Sequence, residues 1–218
     1  VPVPASALPG QTFARFRFST VQGLLETGGA PDGEVEDYQV WIEETQELDW
    51  GDAPDGPYPT LAGSFGANHV IVPLIHMGSS VDPEPDGQPD PNALGDDNDG
   101  NDDEDGVVFE DYLGTVALPS AVMVIGEEHT LEITVSVPDD PETPDAEVGY
   151  LNAWIDWNGD DDWDDAGEQI ALDEDKSGLD QTITLNVDVP TGAEPGLTHA
   201  RFRWSTELGL EPTGTALD

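Results

Sequence analysis

Apolar and polar positions alternate along most of this chain, with the period of two that marks half-buried β-strands. Residues 13–18 read FARFRF, with the aromatic side chains on one face and Arg15 and Arg17 on the other. Residues 35–42 form a second such run, entered through a Pro-Asp-Gly turn. Residues 48–106 are rich in Pro, Gly and Asp and hold one short apolar stretch at 70–75. Beyond them, residues 107–110, 122–125, 130–137, 150–155, 168–172, 181–187 and 198–204 read as successive short strands. No long amphipathic helix is evident. This spacing predicts an all-β fold, an Ig-like β-sandwich repeat with a long acidic, metal-organised connector.

The pattern is also duplicated. Residues 1–32 align without a gap to residues 187–218, with 19 of 32 positions identical, and Ala14 and Ala200 mark an offset of 186 residues. A tandem array seen through a window slightly longer than one period has this form. Residues 1–45 are then expected to be the closing strands of a preceding sandwich. Residues 46–106 are the connector, and 107–218 a sandwich lacking its last strand. The first copy continues into GEVEDYQVWI, whereas nothing equivalent follows Asp218. That strand is expected from beyond Asp218 or from a neighbouring molecule. A first residue other than Met suggests a fragment or a processed form.

Charge sharpens the picture. The chain has 48 acidic residues and 5 Lys or Arg, a formal charge of −43, and no Lys or Arg between Arg17 and Lys176. A compact chain so charged repels itself. Yet 36% of residues are hydrophobic and six are Trp, enough to build a core. Bound divalent cations reconcile the two facts. Nucleic acid and anionic membranes are disfavoured partners, and no apolar run reaches the ~20 residues of a membrane span. With no Cys, neither a disulfide nor a thiolate metal site can form.

Residues 156–168, DWNGDDDWDDAGE, carry the strongest chemical signal. Asp156, Asn158, Asp160 and Asp162 alternate, and Asp164 and Glu168 follow. Alternating oxygen side chains around a Gly converge on one point, and a hard cation such as Ca2+ takes 6–8 oxygen ligands. The match to an EF-hand is partial. The closing Glu falls one place late, the sixth place is not Gly, and a strand rather than a helix precedes the loop. The alternative is a solvated acidic turn.

Further acidic runs extend the expectation to several ions. Asp97, Asp99, Asn101, Asp103 and Asp105 alternate within 96–106, where a plain acidic linker is the other reading. Asp82, Glu84 and Asp86 alternate with prolines that stiffen the run, so an ion site and an extended linker are equally compatible. Glu34 and Glu36 share one strand face, with Val35 and Asp37 on the other. Arg15 and Arg17, and their counterparts Arg201 and Arg203, are expected to form cross-strand Arg–Glu pairs. Alternatively Glu34, Glu36 or Asp37 completes the coordination of the 156–168 loop.

The set ARFRFST…GEVEDY, LDWGDAPDGPYPT, VDPEPDGQP, GDDNDGNDDEDGV and AWIDWNGDDDWDDAGE resembles the GEVED-type repeat domains of large secreted bacterial proteins. The resemblance spans nearly the whole chain. It implies an extracellular, multi-repeat, β-rich and acidic protein of the adhesin or matrix kind. The expected function is a calcium-stabilised structural repeat of a fibre or large adhesin, joined to adjacent copies head to tail by strand completion, covalently or by assembly. The other readings are a calcium-dependent carbohydrate-binding module, with Trp163 as an exposed platform for surface glycans, and an accessory domain of a secreted enzyme. Zincin, nucleophile-elbow and phosphate-loop signatures are missing, so no catalytic residue is assigned.

Overall fold

A computed structural model describes residues 3–4, 7–42, 46–95, 104–109, 122–138 and 147–217. It divides into two compact units, Val1–Gln46 and Glu47–Asp218. Among the described residues regular structure is strand, with only short 3-10 turns beside it.

The first unit is an antiparallel hairpin of β1 (Gly10–Phe18) and β2 (Glu34–Ile42). Its register pairs Arg15 with Asp37 and Phe16 with Glu36. Two strands cannot cover their own side chains, and Phe13, Phe16, Phe18 and Trp41 all stand exposed. An isolated hairpin is marginal in water because it lacks a second layer to bury its apolar face.

The second unit contains β3 (Leu48–Trp50), β4 (Asn68–Val70), β5 (His76–Met77), β6 (Val107–Phe109) and β7 (Glu128–Val137). It continues with β8 (Gly149–Ile155), β9 (Gln169–Lys176), β10 (Gly178–Asp188), β11 (Ala200–Ser205) and β12 (Thr215–Ala216). One sheet runs β10-β7-β5, with β6 also on β7; a second runs β11-β8-β9; a small third runs β12-β4-β3. Strand β10 shows how the sequence dictates this. Ile183, Leu185 and Val187 are buried while Thr182, Thr184 and Asn186 between them are exposed, the alternation of a strand with one face on a core. The core joins that face to Leu131, Ile133 and Val135 of β7, Leu151, Ala153 and Ile155 of β8, and Trp204 of β11. The first two sheets therefore share one apolar interior. Trp204 also donates its indole N–H to Ser136 O at 2.8 Å, tying β11 to β7.

The connector, in which the hydrophobic pattern marks only one short apolar stretch, contains short strands. Leu48–Trp50 and Asn68–Val70 pair antiparallel, and β12 adds to β4 in parallel. Segments of two or three residues are too short to show periodicity, so they leave no signal in the sequence. Conversely, residues 122–125 form no strand. Their apolar side chains lead into the turn that precedes β7.

Gly149 opens β8 because nothing larger fits. A Cβ there would stand 2.0 Å from the Trp204 ring. Substituting Gly149→Ala pushes Trp204 out of its place in the core. Urea denaturation is expected to show a loss of about 1–3 kcal/mol, the usual cost of overpacking.

Candidate metal centre

Strand β8 delivers the 156–168 loop directly from the core. Ile155 is paired and buried, and Asp156, the next residue, has no exposed surface. The loop returns at Glu168, whose carbonyl accepts from Ile155 N–H at 2.9 Å before β9 begins. The two acids thus sit at the two feet of one loop. Glu168 is itself 2% exposed.

Backbone amides fix both carboxylates. Gly159 N–H donates to Asp156 Oδ1 at 2.6 Å, and Asp161 N–H to Oδ2 at 3.2 Å. Tyr58 O–H donates to the same Oδ2 at 2.6 Å. Trp157 N–H and Asp165 N–H donate to Glu168 Oε1 and Oε2 at 3.2 and 3.1 Å. Across the loop, Asn158 Nδ2 donates to Asp160 Oδ2 at 3.1 Å and to Asp165 Oδ2 at 2.6 Å. Asp156, Asp160 and Glu168 then offer carboxylate oxygens that all lie within 4.8 Å of one another. Such a trio could hold a metal ion.

Electrostatics agree with that capacity. Burial pushes the Glu168 carboxyl above its ordinary range, and the neighbouring Asp156 and Asp165 charges add to the effect. Asp160 is raised too, first by desolvation and then by the Asp162, Asp165 and Asp156 charges. Burial, and then the bond to Asp156, raise the Tyr58 phenol well above its usual value, so it stays a donor. Among the described residues no Lys or Arg pairs with the trio.

The remaining predicted ligands divide sharply. Asp162 and Asp164 are exposed and outside the trio, with Asp164 N–H donating to Asp162 Oδ1. Glu84 is buried and accepts from Trp50 N–H at 3.0 Å. Asp86 caps Ala62 N–H and Gly87 N–H, and Asp105 accepts from Ser79 N–H. Asp82, Glu84, Asp86 and Asp105 form no metal-holding group among the described residues. Asp97, Asp99, Asn101 and Asp103 lie outside the described residues. In the hairpin, Glu36 accepts from Tyr38 O–H.

Two expectations are corrected. The Arg–Glu pairs are replaced by a forked pair of Arg15 with Asp37, 2.7 Å at both Nε and Nη2. Parity explains it: the register sets Asp37 on the arginine face and Glu34 and Glu36 on the phenylalanine face. Trp163 is not an exposed platform. It is 5% exposed, stacks 4.5 Å from Tyr58, donates to His199 O and lies under the Arg201 guanidinium at 4.6 Å. An aromatic within an acidic run reads as exposed only when its partners, here 36 to 105 residues away, are unknown. Tyr58 is missed for the same reason, whereas Asp165 lies in the loop itself but falls outside the alternating pattern.

The arginines of the two copies make a matching set of bonds. Arg17 donates to Leu25 O, Thr27 O and Gly28 O, and Arg203 to the equivalent Glu211 O, Thr213 O and Gly214 O. Arg15 donates to Glu26 O, and Arg201 to the equivalent Pro212 O.

Residue 161, the sixth place of the loop, has φ +73° although it is Asp. Asp tolerates the left-handed region better than most residues. Asp161→Gly is expected to leave the fold at least as stable, whereas Asp161→Val costs about 1–2 kcal/mol. Urea denaturation in excess EDTA separates this backbone effect from any ion.

Residues 150–218, which hold β9, β10, β11, β12, nearly all of β8 and the whole carboxylate trio, match the GEVED domain family. No curated protein and no solved structure matches the chain.

Proposed function

We propose that the GEVED domain of residues 150–218 is the ion-holding part of a calcium-stabilised structural repeat, from an extracellular bacterial fibre or large adhesin. The observation that carries this reading is the pair of buried carboxylates, Asp156 and Glu168, converging with Asp160 and lacking a basic partner among the described residues. Buried charge is costly unless compensated. A divalent cation supplies that compensation, and an all-oxygen donor set suits calcium. Lone pairs remain for it. Each carboxylate oxygen has two; Asp156 Oδ1 and both Glu168 oxygens each receive one protein N–H.

The wider reading follows from the same charge balance. A chain at −43 without disulfides gains from an internal counter-charge when it is compact, and an ion is a staple open to a chain that has no Cys. Two sheets around one core are compatible with an Ig-like sandwich, the form in which such repeats stack into stalks. No helix among the described residues is long and apolar enough to cross a membrane. The repeat offset favours units joined in series to adjacent copies, covalently or by strand completion. Glycan binding through Trp163 loses its basis, since that ring is covered.

Thermal unfolding tests the reading. Millimolar calcium is expected to raise the melting temperature above that in excess EDTA. The stabilisation is about 2.7 kcal/mol when free calcium is a hundred times the dissociation constant. Glu168→Gln and Asp156→Asn should abolish the rise. An unchanged melting curve for the unaltered chain sinks the calcium assignment.

The raised Glu168 and Asp160 carboxyls set the pH dependence. Protons compete with the ion up to a higher pH than at ordinary carboxylates. Calcium affinity should therefore fall as pH drops through the raised values, by up to about tenfold per pH unit for each proton displaced. Calorimetric titration in two buffers of different ionisation heat should reveal protons released on binding within that window.

A further inference from the structure

Strand β11 stands at the end of its sheet, paired only with β8 among the described residues. Asp156 N–H donates to His199 O, so residues 199, 201, 203 and 205 turn their backbone groups toward β8. By the alternation of antiparallel ladders, Ala200, Phe202 and Trp204 present theirs to the opposite edge. Along that edge runs a groove of about 880 Å3, lined by every residue from Ala200 to Trp204. Its lining also includes Asp49–Ala53 of the connector and Met77, Val107 and Phe109.

The first copy shows what such an edge takes. Strand β1 is the equivalent of β11, residue for residue from Ala14 to Ser19, and its partner is β2. The arginine bonds to the following loop are the same in both copies, so the two strands are comparable in detail. The first arginine of each strand has a different partner. Arg15 grips Asp37. Arg201 is 6% exposed and, among the described residues, no carboxylate pairs with it; its bonds go to Pro59 O, Pro212 O and Thr60 Oγ1. Burial, with Arg203 nearby, pulls its guanidinium down to about 9. A buried arginine so placed is short of an anion.

We propose that the groove beside β11 is the seat of a GEVED strand, residues 33–42 of a second copy of this chain, which exchanges its own β1 and Arg15 for β11 and forks its Asp37 carboxylate onto Arg201. The register of the hairpin transfers directly. Tyr38 falls opposite Ala200, Asp37 opposite Arg201, Glu36 opposite Phe202, Val35 opposite Arg203 and Glu34 opposite Trp204. The acids of the motif then have distinct parts. Asp37 meets the buried cation, while Glu34 and Glu36 lie on the other strand face. The ladder supplies affinity and the Asp37–Arg201 pair supplies register, as in other strand additions. This seat deepens the reading of the chain as a unit joined in series, and it does not depend on a bound ion.

A labelled peptide of residues 33–42 tests the seat by fluorescence anisotropy against the full chain, with sedimentation reporting its association state. If the chain is monomeric, the peptide should bind saturably; if it self-associates, excess peptide should dissolve the association. Asp37→Asn in the peptide should weaken binding at least tenfold. Methylating the Glu36 amide, which faces β11, should abolish binding, while methylating the Asp37 amide should leave it within a few-fold. In the chain, Ala200→Pro removes an outward N–H without touching the ladder to β8, and should abolish binding with the thermal transition retained. The peptide variants keep the test decisive if that substitution does not fold. A peptide that neither binds nor dissolves assemblies, or that binds as well when scrambled or carrying Asn at 37, overturns the proposal. Measuring in calcium and in EDTA keeps the readings apart. A chain whose melting ignores calcium but which binds the peptide loses the ion and keeps the seat.

Discussion

A buried guanidinium must find acceptors for all five of its N–H groups, and the second unit is arranged around that demand. Arg203 donates to His69 Nε2, Asn68 O, Glu211 O, Thr213 O and Gly214 O. Three of these lie in the loop after β11 and two in β4. One side chain therefore fastens the connector, the third sheet and the second sheet together. Arg201 does similar work on Pro59, Thr60 and Pro212, and covers Trp163. In a chain with five basic residues, two are committed inside, to carbonyls and a ring. The acids gain little relief from them.

That allocation explains why the carboxylate trio lies where it does. Tyr58 links the two systems: it donates to Asp156, stacks on Trp163 and touches His199. The connector segment that the arginines hold down is the segment that caps the acidic loop from behind. Fixing Pro59 and Thr60 fixes Tyr58, and Tyr58 with the loop amides fixes Asp156. The trio is thus preorganised by hydrogen bonds within the protein.

Much of this is legible in the sequence. The long strands declare themselves by alternation, and the converging feet of the 156–168 loop by the spacing of Asp156, Asp160 and Glu168. The gapless repeat by itself equates β1 with β11. What escapes are features set by distant contacts. Arg201, Arg203 and Trp163 look like surface groups because charge and acidic context suggest water, while their burial comes from a connector more than a hundred residues away. Asp37 rather than Glu36 meets Arg15 because strand parity, not charge count, selects the partner. The short strands at 48–50 and 215–216 carry no period at all.

The arginine web also separates two ranges of sequence. Arg17 reaches carbonyls 8 to 11 residues away, and Arg203 repeats those spans. Arg201 and Arg203 reach the connector across 142 and 134 residues. Closing a loop of about ten residues takes on the order of 10–100 ns, whereas contacts of high sequence separation come late because chain entropy is lost before they form. Each ARFR strand and its following loop thus share the same short-range arginine bonds, a pattern that occurs twice along the chain. Bringing the connector onto the arginines therefore costs more chain entropy than closing either clasp.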